Sequence, residues 1–205
     1  MVRTLVKQGI WGSALDTLLS ALRQVIREAG PKHGFPVEMV ESEMARLGKS
    51  LKFTEEEIQD LVSTPYSNRR VFALLTLLYP GVDVRNAFHE DHVFPASSFT
   101  RARLLRAGVS EAELPTYLDM FNRLPNLQLL DGATNVAKQA VLPMDWARGR
   151  FPDEQARQMY LAGHDMHDLP ETLPEFGSFY RARAAKMADR LRQLLAVTEP
   201  LISPT

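Results

Sequence analysis

Four consecutive positions, His89-Glu90-Asp91-His92, set two imidazoles and two carboxylates directly ahead of Val93, Phe94 and Pro95. Imidazole is the side chain whose ordinary pKa suits general-base work near neutral pH. A carboxylate beside it is a hard oxygen ligand for a divalent cation. In extended backbone the side chains of Asp91 and His92 leave opposite faces. Both can serve one pocket only where the strand ends, and Pro95 is a reason for it to end there. Downstream, "LPNLQLLDGATNVAKQA" supplies Asn126 ahead of an apolar strand and a turn at Asp131-Gly132. Asn135 and Lys138 follow, three apart and so on one face of a short helix. Two strands and a helix would gather an imidazole, a carboxylate and an amide oxygen. Oxygen ligands of that kind suit Mg²⁺ or Mn²⁺. The chemistry served is attack on a metal-bound phosphodiester by water that the histidine activates.

The elements that must position these groups are mostly helices. "LDTLLSALRQVIREAG" carries Leu15, Leu18, Leu19, Leu22, Val25 and Ile26 at helical spacing, closed by Gly30 and Pro31. Pro36 opens a second helix that Gly48 ends. Thr54 and Glu57 form a capping box for a third, and "SNRRVFALLTLLY" reads as a buried fourth before Pro80-Gly81. From 82 to about 150 the pattern changes to short strand-like pieces ("NAFHEDHVF", "NLQLLD") and shorter helices. Helix returns in "FPDEQARQMYLAG" and in "FGSFYRARAAKMADRLRQLLAV", where Phe179, Ala182, Lys186, Leu191, Leu194 and Leu195 alternate with arginines. The predicted organisation is an N-terminal helical region over 1–81, the chemistry-bearing core over 82–150, and a C-terminal helical brace over 151–205 packing on the same domain.

Composition narrows the function classes. The 205 residues include no cysteine, which excludes disulfides, zinc ribbons and thiol nucleophiles and makes a cytoplasmic setting the default. No run approaches the roughly 20 apolar residues of a membrane span, and the N-terminus lacks a signal peptide's apolar core. With 24 basic and 25 acidic residues the net charge is −1. A surface for nucleic acid must therefore be local; Arg101, Arg103 and Arg106, with Arg148 and Arg150, are its candidates, and a merely solvated face is the competing reading.

"DHVFP…LPNLQLL…TNVAK" resembles the ββα-metal core of HNH endonucleases, and the interval from Asn126 to Asn135, 135 − 126 = 9, is similar to that in the HNH domain of RNA-guided CRISPR nucleases. The wider frame is similar to the C-terminal half of GmrSD-type restriction enzymes and of relatives in phosphorothioation-linked phage defence. The resemblance spans about residues 54–195 and includes "RRVFALLTLLYP", Trp146 and the "F..FY..R" helix (Phe176, Phe179, Tyr180, Arg183). It implies a mainly α fold with a small ββα-metal (HNH) core inserted between helices. It also implies a metal-dependent DNA endonuclease, nicking in character, within restriction or anti-phage defence. Such proteins carry a nucleotide-hydrolysing, modification-sensing domain ahead of the nuclease, so the resemblance makes this chain a fragment or a separately made domain whose partners are that domain and DNA. By residue, it makes His92 the general base and Asp91 and Asn135 ligands of one Mg²⁺ or Mn²⁺. Asn126 would tie the strands together and hold the base, and Lys138 would touch the scissile phosphate. His89 has no settled role in the pattern and stands as a further metal ligand, a partner of the base, or a strand stabiliser.

Two other readings compete. A non-cleaving DNA-binding or regulatory module would keep the same scaffold. Alternatively, His89 and His92 would be half of a zinc site completed by His164 or His167, although both sit in a polar segment that reads as exposed loop.

Overall fold

The computed structural model describes residues 2–10, 12, 14–30, 34–81 and 87–195. Asn86, the first residue of the expected strand, Pro31, and the end of the brace beyond Leu195 lie outside these. The described residues are mainly helical, with a single two-stranded antiparallel sheet. No helix among them is long and apolar enough to cross a membrane. The chain divides into two compact units, one built from residues up to Glu57 and the other from Ile58–Leu194.

In the first unit, α1 (Val2–Val6) precedes α2 (Leu15–Ala29) and α3 (Val37–Arg46). Of the expected stripe on α2, Leu18 is buried and Leu22 and Val25 are half-buried, packing with Ile10, Val40, Met44, Leu47 and Leu51, whereas Leu15, Leu19 and Ile26 are exposed. Gly48, at φ +71, ends α3 as a left-handed cap: its N–H bonds Ala45 O and the next N–H, of Lys49, bonds Met44 O. The capping box forms at the start of α4 (Glu55–Val62), with Glu57 N donating to Thr54 Oγ1 and Thr54 N to Glu57 Oε2.

The second unit holds the end of α4, α5 (Val71–Leu78), β1 (Phe88–His92), α6 (Arg101–Arg106), α7 (Leu114–Met120), β2 (Leu127–Asp131), α8 (Gly132–Lys138), α9 (Pro143–Arg150), α10 (Glu154–Gly163) and α11 (Phe176–Leu195). The helical region expected over 1–81 thus divides near 57, because α5 packs on β2 and belongs with the sheet. β1 and β2 pair in the register Phe88↔Asp131, His89↔Leu130, Glu90↔Leu129, Asp91↔Gln128 and His92↔Leu127. α8 follows β2 without a break and contacts both strands. Its N-cap is Asp131, which accepts from Thr134 N, and it stops at Gln139, whose φ is +47.

The inner face of α11 carries its aromatic residues and one arginine. Phe176, Phe179, Tyr180, Arg183, Met187 and Leu191 are buried, whereas Ala182 is exposed and Lys186 half-buried. Arg183 has its partners inside. It is 1% exposed, its Nη1 donates to Pro125 O and Leu127 O at 2.9 Å each, and its Nε donates to His164 O at 3.1 Å. Leu127 O lies on the β2 edge that no third strand covers among the described residues, with Pro125 O just before it, so a guanidinium supplies there what a ladder would have supplied.

Candidate active site at the end of the first strand

The four-residue cluster splits by strand alternation. Phe88, Glu90 and His92 leave one face of β1, His89 and Asp91 the other. Val93 and Phe94 are fully buried, and Phe94 packs on Phe176 and Phe179 with ring centroids 5.3 and 5.4 Å apart. These anchors fix the strand end just where the charged residues stop, and Pro95 opens a 3₁₀ turn over Ala96–Ser98.

Asn126 is fully buried and ties this strand end down. Its Oδ1 accepts from Phe94 N at 2.9 Å, and its Nδ2 donates to Phe94 O at 3.1 Å and Phe121 O at 2.8 Å. Its backbone O also accepts from Val93 N at 2.7 Å. None of these bonds reaches His92. The residue holding the imidazole is Asn122, whose Oδ1 lies 3.0 Å from His92 Nε2. An amide oxygen only accepts, so Nε2 carries the proton and Nδ1, which has no hydrogen-bond partner among the described residues, is the basic nitrogen of the neutral ring. Partial burial holds the His92 pKa below its ordinary value; the Asn122 bond and the Asp91 charge oppose that, and the Lys138 charge adds to it. Tyr66 lies against the ring at 4.7 Å and Phe121 stacks at 6.1 Å. Backbone pairing delivers both neighbours: Tyr66 N donates to Asn122 O, Leu124 N donates to Thr64 O, and Pro65 bridges to Arg123. Asn122 and Tyr66 carry no motif of their own in the sequence, since they reach His92 only through this long-range pairing.

Asp91 faces α8. Its Oδ2 accepts from Gln128 Nε2 at 3.0 Å and pairs with Lys138 Nζ at 2.9 Å, while its Oδ1 has no partner among the described residues. Lys138 does not present its ammonium at the surface, as contact with a scissile phosphate would require. It is 1% exposed and also donates to His92 O at 2.6 Å. α8 is short and its last turn points inward, so a lysine there reaches the strand end and not solvent. Asn135 is half-buried, one turn earlier on the same face of α8. Glu90 lies on the opposite sheet face, where partial burial raises its carboxyl pKa and the Phe72 N–H, in the first turn of α5, opposes the rise.

His89 shares Asp91's face but is exposed, its ring over Gly132, where an added Cβ would lie 3.4 Å from Nε2. His164, expected on an exposed loop, is instead partly buried and donates from Nδ1 to Tyr160 O at 2.9 Å; His167 lies 3.2 Å from Lys186. Among the described residues no three of His, Asp and Glu are grouped to hold a metal. The zinc reading has no ligand set. Mg²⁺ and Mn²⁺ ask less, because they bind through one or two carboxylates and leave the remaining positions to water and substrate phosphate. Asp91, 18% exposed with one oxygen open, and Asn135 are hard oxygen donors that fit such an ion.

Three of the arginines named for DNA are engaged within the chain. Arg101 pairs with Glu111 at 2.7 Å, Arg103 donates to Ser97 O at 2.5 Å, and Arg148 bonds Glu171. A pocket of about 280 Å³ lies on the Glu90 face of the sheet, lined by Tyr79, Phe88, Leu129 and His164 among others, with no acid in its wall. No family model matches the chain, and no curated protein matches it, so the functional reading stands on the geometry around Asp91 and His92.

Proposed function

We propose that the chain is a metal-dependent DNA endonuclease of HNH type, built on a ββα-metal core formed by β1, β2 and α8. One observation carries the reading. Consecutive residues at a strand end present a neutral imidazole with one nitrogen tied and one free, and a carboxylate with one oxygen tied and one free. His92 Nδ1 takes the proton from the water that attacks phosphorus. Asn122 Oδ1 keeps the ring turned and stabilises the imidazolium that forms, because Nε2–H is already donated to it. Tyr66 and Phe121 limit the ring's rotation and its hydration. Asp91 and Asn135 would hold one Mg²⁺ or Mn²⁺, which supplies charge stabilisation for the phosphodiester and the leaving oxygen when bound. Lys138 fastens α8 to the strand end through Asp91 and His92 O, and Asn126 fastens the strand end to the core. With one base and one metal, each encounter cuts one strand. A restriction or anti-phage setting, and a separate nucleotide-hydrolysing sensor as partner, follow from the resemblance in the motif residues.

A second reading is favoured by one contact. The Lys138 ammonium already compensates Asp91, as it would in a non-cleaving DNA-binding or regulatory module that keeps the scaffold without its cation. A supercoiled-plasmid assay at low salt with Mg²⁺ or Mn²⁺ separates the two. The nuclease converts supercoil to open circle, and linear product follows late. Absence of metal-dependent nicking overturns the first reading in favour of the second.

A further inference from the structure

Gln128 is the one polar residue in an otherwise apolar stretch of β2, between Leu127 and Leu129, and it is 2% exposed. A buried amide costs stability unless both its ends are paired. It stands directly opposite Asp91 in the register, so the two side chains share a face. Its Nε2 donates to Asp91 Oδ2 at 3.0 Å, and its Oε1 accepts from the Tyr160 hydroxyl at 2.9 Å. The direction of this chain is forced. A carboxylate only accepts, so the amide must turn its NH₂ to Asp91 and its oxygen to Tyr160, and the phenol must donate. Desolvation of the half-buried phenol raises the Tyr160 pKa, which keeps it protonated. The phenol ring is itself held by Trp146, Phe151 and His164, at centroid distances of 5.7, 4.7 and 4.5 Å.

We propose that Gln128, backed by Tyr160, is a positioning residue that presets Asp91 to offer a divalent cation a single oxygen, Oδ1. The proposal rests on Asp91 being a metal ligand. Gln128 and Lys138 together fill both lone-pair directions of Oδ2. The carboxylate therefore cannot rotate to meet the ion with both oxygens, and its open oxygen keeps one direction. Trp146 and Phe151 act on the site through the Tyr160 ring, three steps from the metal ligand.

The test is Mn²⁺ affinity by calorimetry, well below the melting temperature, for the unaltered chain and for Asp91→Asn, Gln128→Leu and Tyr160→Phe, with metal-free melting curves alongside. Asp91→Asn should abolish binding. Gln128→Leu should weaken it about 10–100-fold, the usual cost of losing a partner that orients a ligand. Tyr160→Phe frees the amide to turn and should weaken binding in the same sense by a smaller factor. A merely structural role predicts lowered melting temperatures with unchanged affinity in the folded chain; that result, with Asp91 still required, overturns the relay and spares the site. Should Gln128→Leu fail to fold, Tyr160→Phe decides alone, and unchanged affinity there is fatal to the proposal. Asp91→Asn binding Mn²⁺ as the unaltered chain does, or an unaltered chain that binds none, overturns both the relay and the metal-site reading.

Discussion

Two acid-centred clusters lie along β2, and they differ in what they leave open. Asp165 is held on both oxygens: Tyr79 OH donates to Oδ2 at 3.2 Å, and Arg190 reaches Oδ2 at 2.7 Å and Oδ1 at 3.0 Å. Asp91 is held on Oδ2 alone. Each histidine has one ring nitrogen engaged, and they differ in what engages it. His164 donates to a backbone carbonyl from within a stack of Tyr79 and Tyr160, while His92 is tied to a side-chain amide with Nδ1 left free. Tyr160 and Arg183 belong to both neighbourhoods, Tyr160 through Gln128 and His164, Arg183 through Leu127 O and His164 O. An acid with both oxygens held braces the fold, and one with a spare oxygen has something to bind.

The comparison breaks most directly at the histidines. His92→Ala should lower metal-dependent plasmid nicking about 10²–10⁴-fold, the usual worth of a general base. His164→Ala should leave the nicking rate within a few-fold and lower the melting temperature. Equal rate losses in the two variants, measured by gel time course, would erase the distinction.

The acids come next. Asp165→Asn leaves Arg190 without its carboxylate; because Arg190 is 40% exposed, water recovers part of the loss, so about 1–3 kcal/mol is expected. That is a fall of several degrees in melting temperature for a chain of this size, with Mn²⁺ binding unchanged. Asp91→Asn should lose Mn²⁺ binding and lower the melting temperature as well, since it leaves the buried Lys138 ammonium without its carboxylate, so metal affinity is what separates the two acids. Unchanged Mn²⁺ affinity in Asp91→Asn would make Asp91 a second brace.

The pH dependence sharpens the same contrast. Burial depresses the pKa of both histidines, so the folded state prefers the neutral rings. As pH falls below about 6.5, the ordinary value, the unfolded chain takes up protons that the folded chain refuses, and stability declines until the folded pKa values are passed. Nicking needs neutral His92, so its rate should rise with pH through a pKa below 6.5 and be level by neutrality. Asn122→Ala removes an interaction that raises that pKa, so the limb should shift to lower pH while the plateau rate drops. A limb that stays put would take Asn122 out of the base's environment.

What was legible in the sequence followed from local rules. The capping box at Thr54, the left-handed end of α3 at Gly48, the strand end before Pro95 and the shared face of Asn135 and Lys138 all depend on neighbours within a turn. Asn122, Gln128 and Tyr160 were not legible, because each meets its partner about thirty residues away through pairing that no periodicity announces. Lys138 was read by type, as a cation for the scissile phosphate, and Arg183 only as part of the "F..FY..R" pattern; the fold uses both inside to satisfy carbonyls at strand ends.

The smallest effects should come from the arginines read as DNA contacts. Arg101, Arg103 and Arg148 are at the surface and already bond Glu111, Ser97 O and Glu171 within the chain. Exposed pairs of this kind contribute up to about 1 kcal/mol each to stability, so alanine at any one should move the melting temperature by no more than a few degrees. The effect on DNA is equally bounded. With a net charge of −1 the chain releases few counterions on binding, and an arginine committed to a neighbouring acid releases fewer still. Alanine at each position should change nicking by less than about threefold at low salt and leave the salt dependence of binding unaltered, since a phosphate contact would contribute close to one unit to that slope. If one variant lowers the slope by about one unit, its arginine exchanges its partner for a phosphate on binding. The DNA path would then run from the Asp91–His92 end toward that residue, and the contrast between an open cluster and a closed surface would have to be redrawn around it.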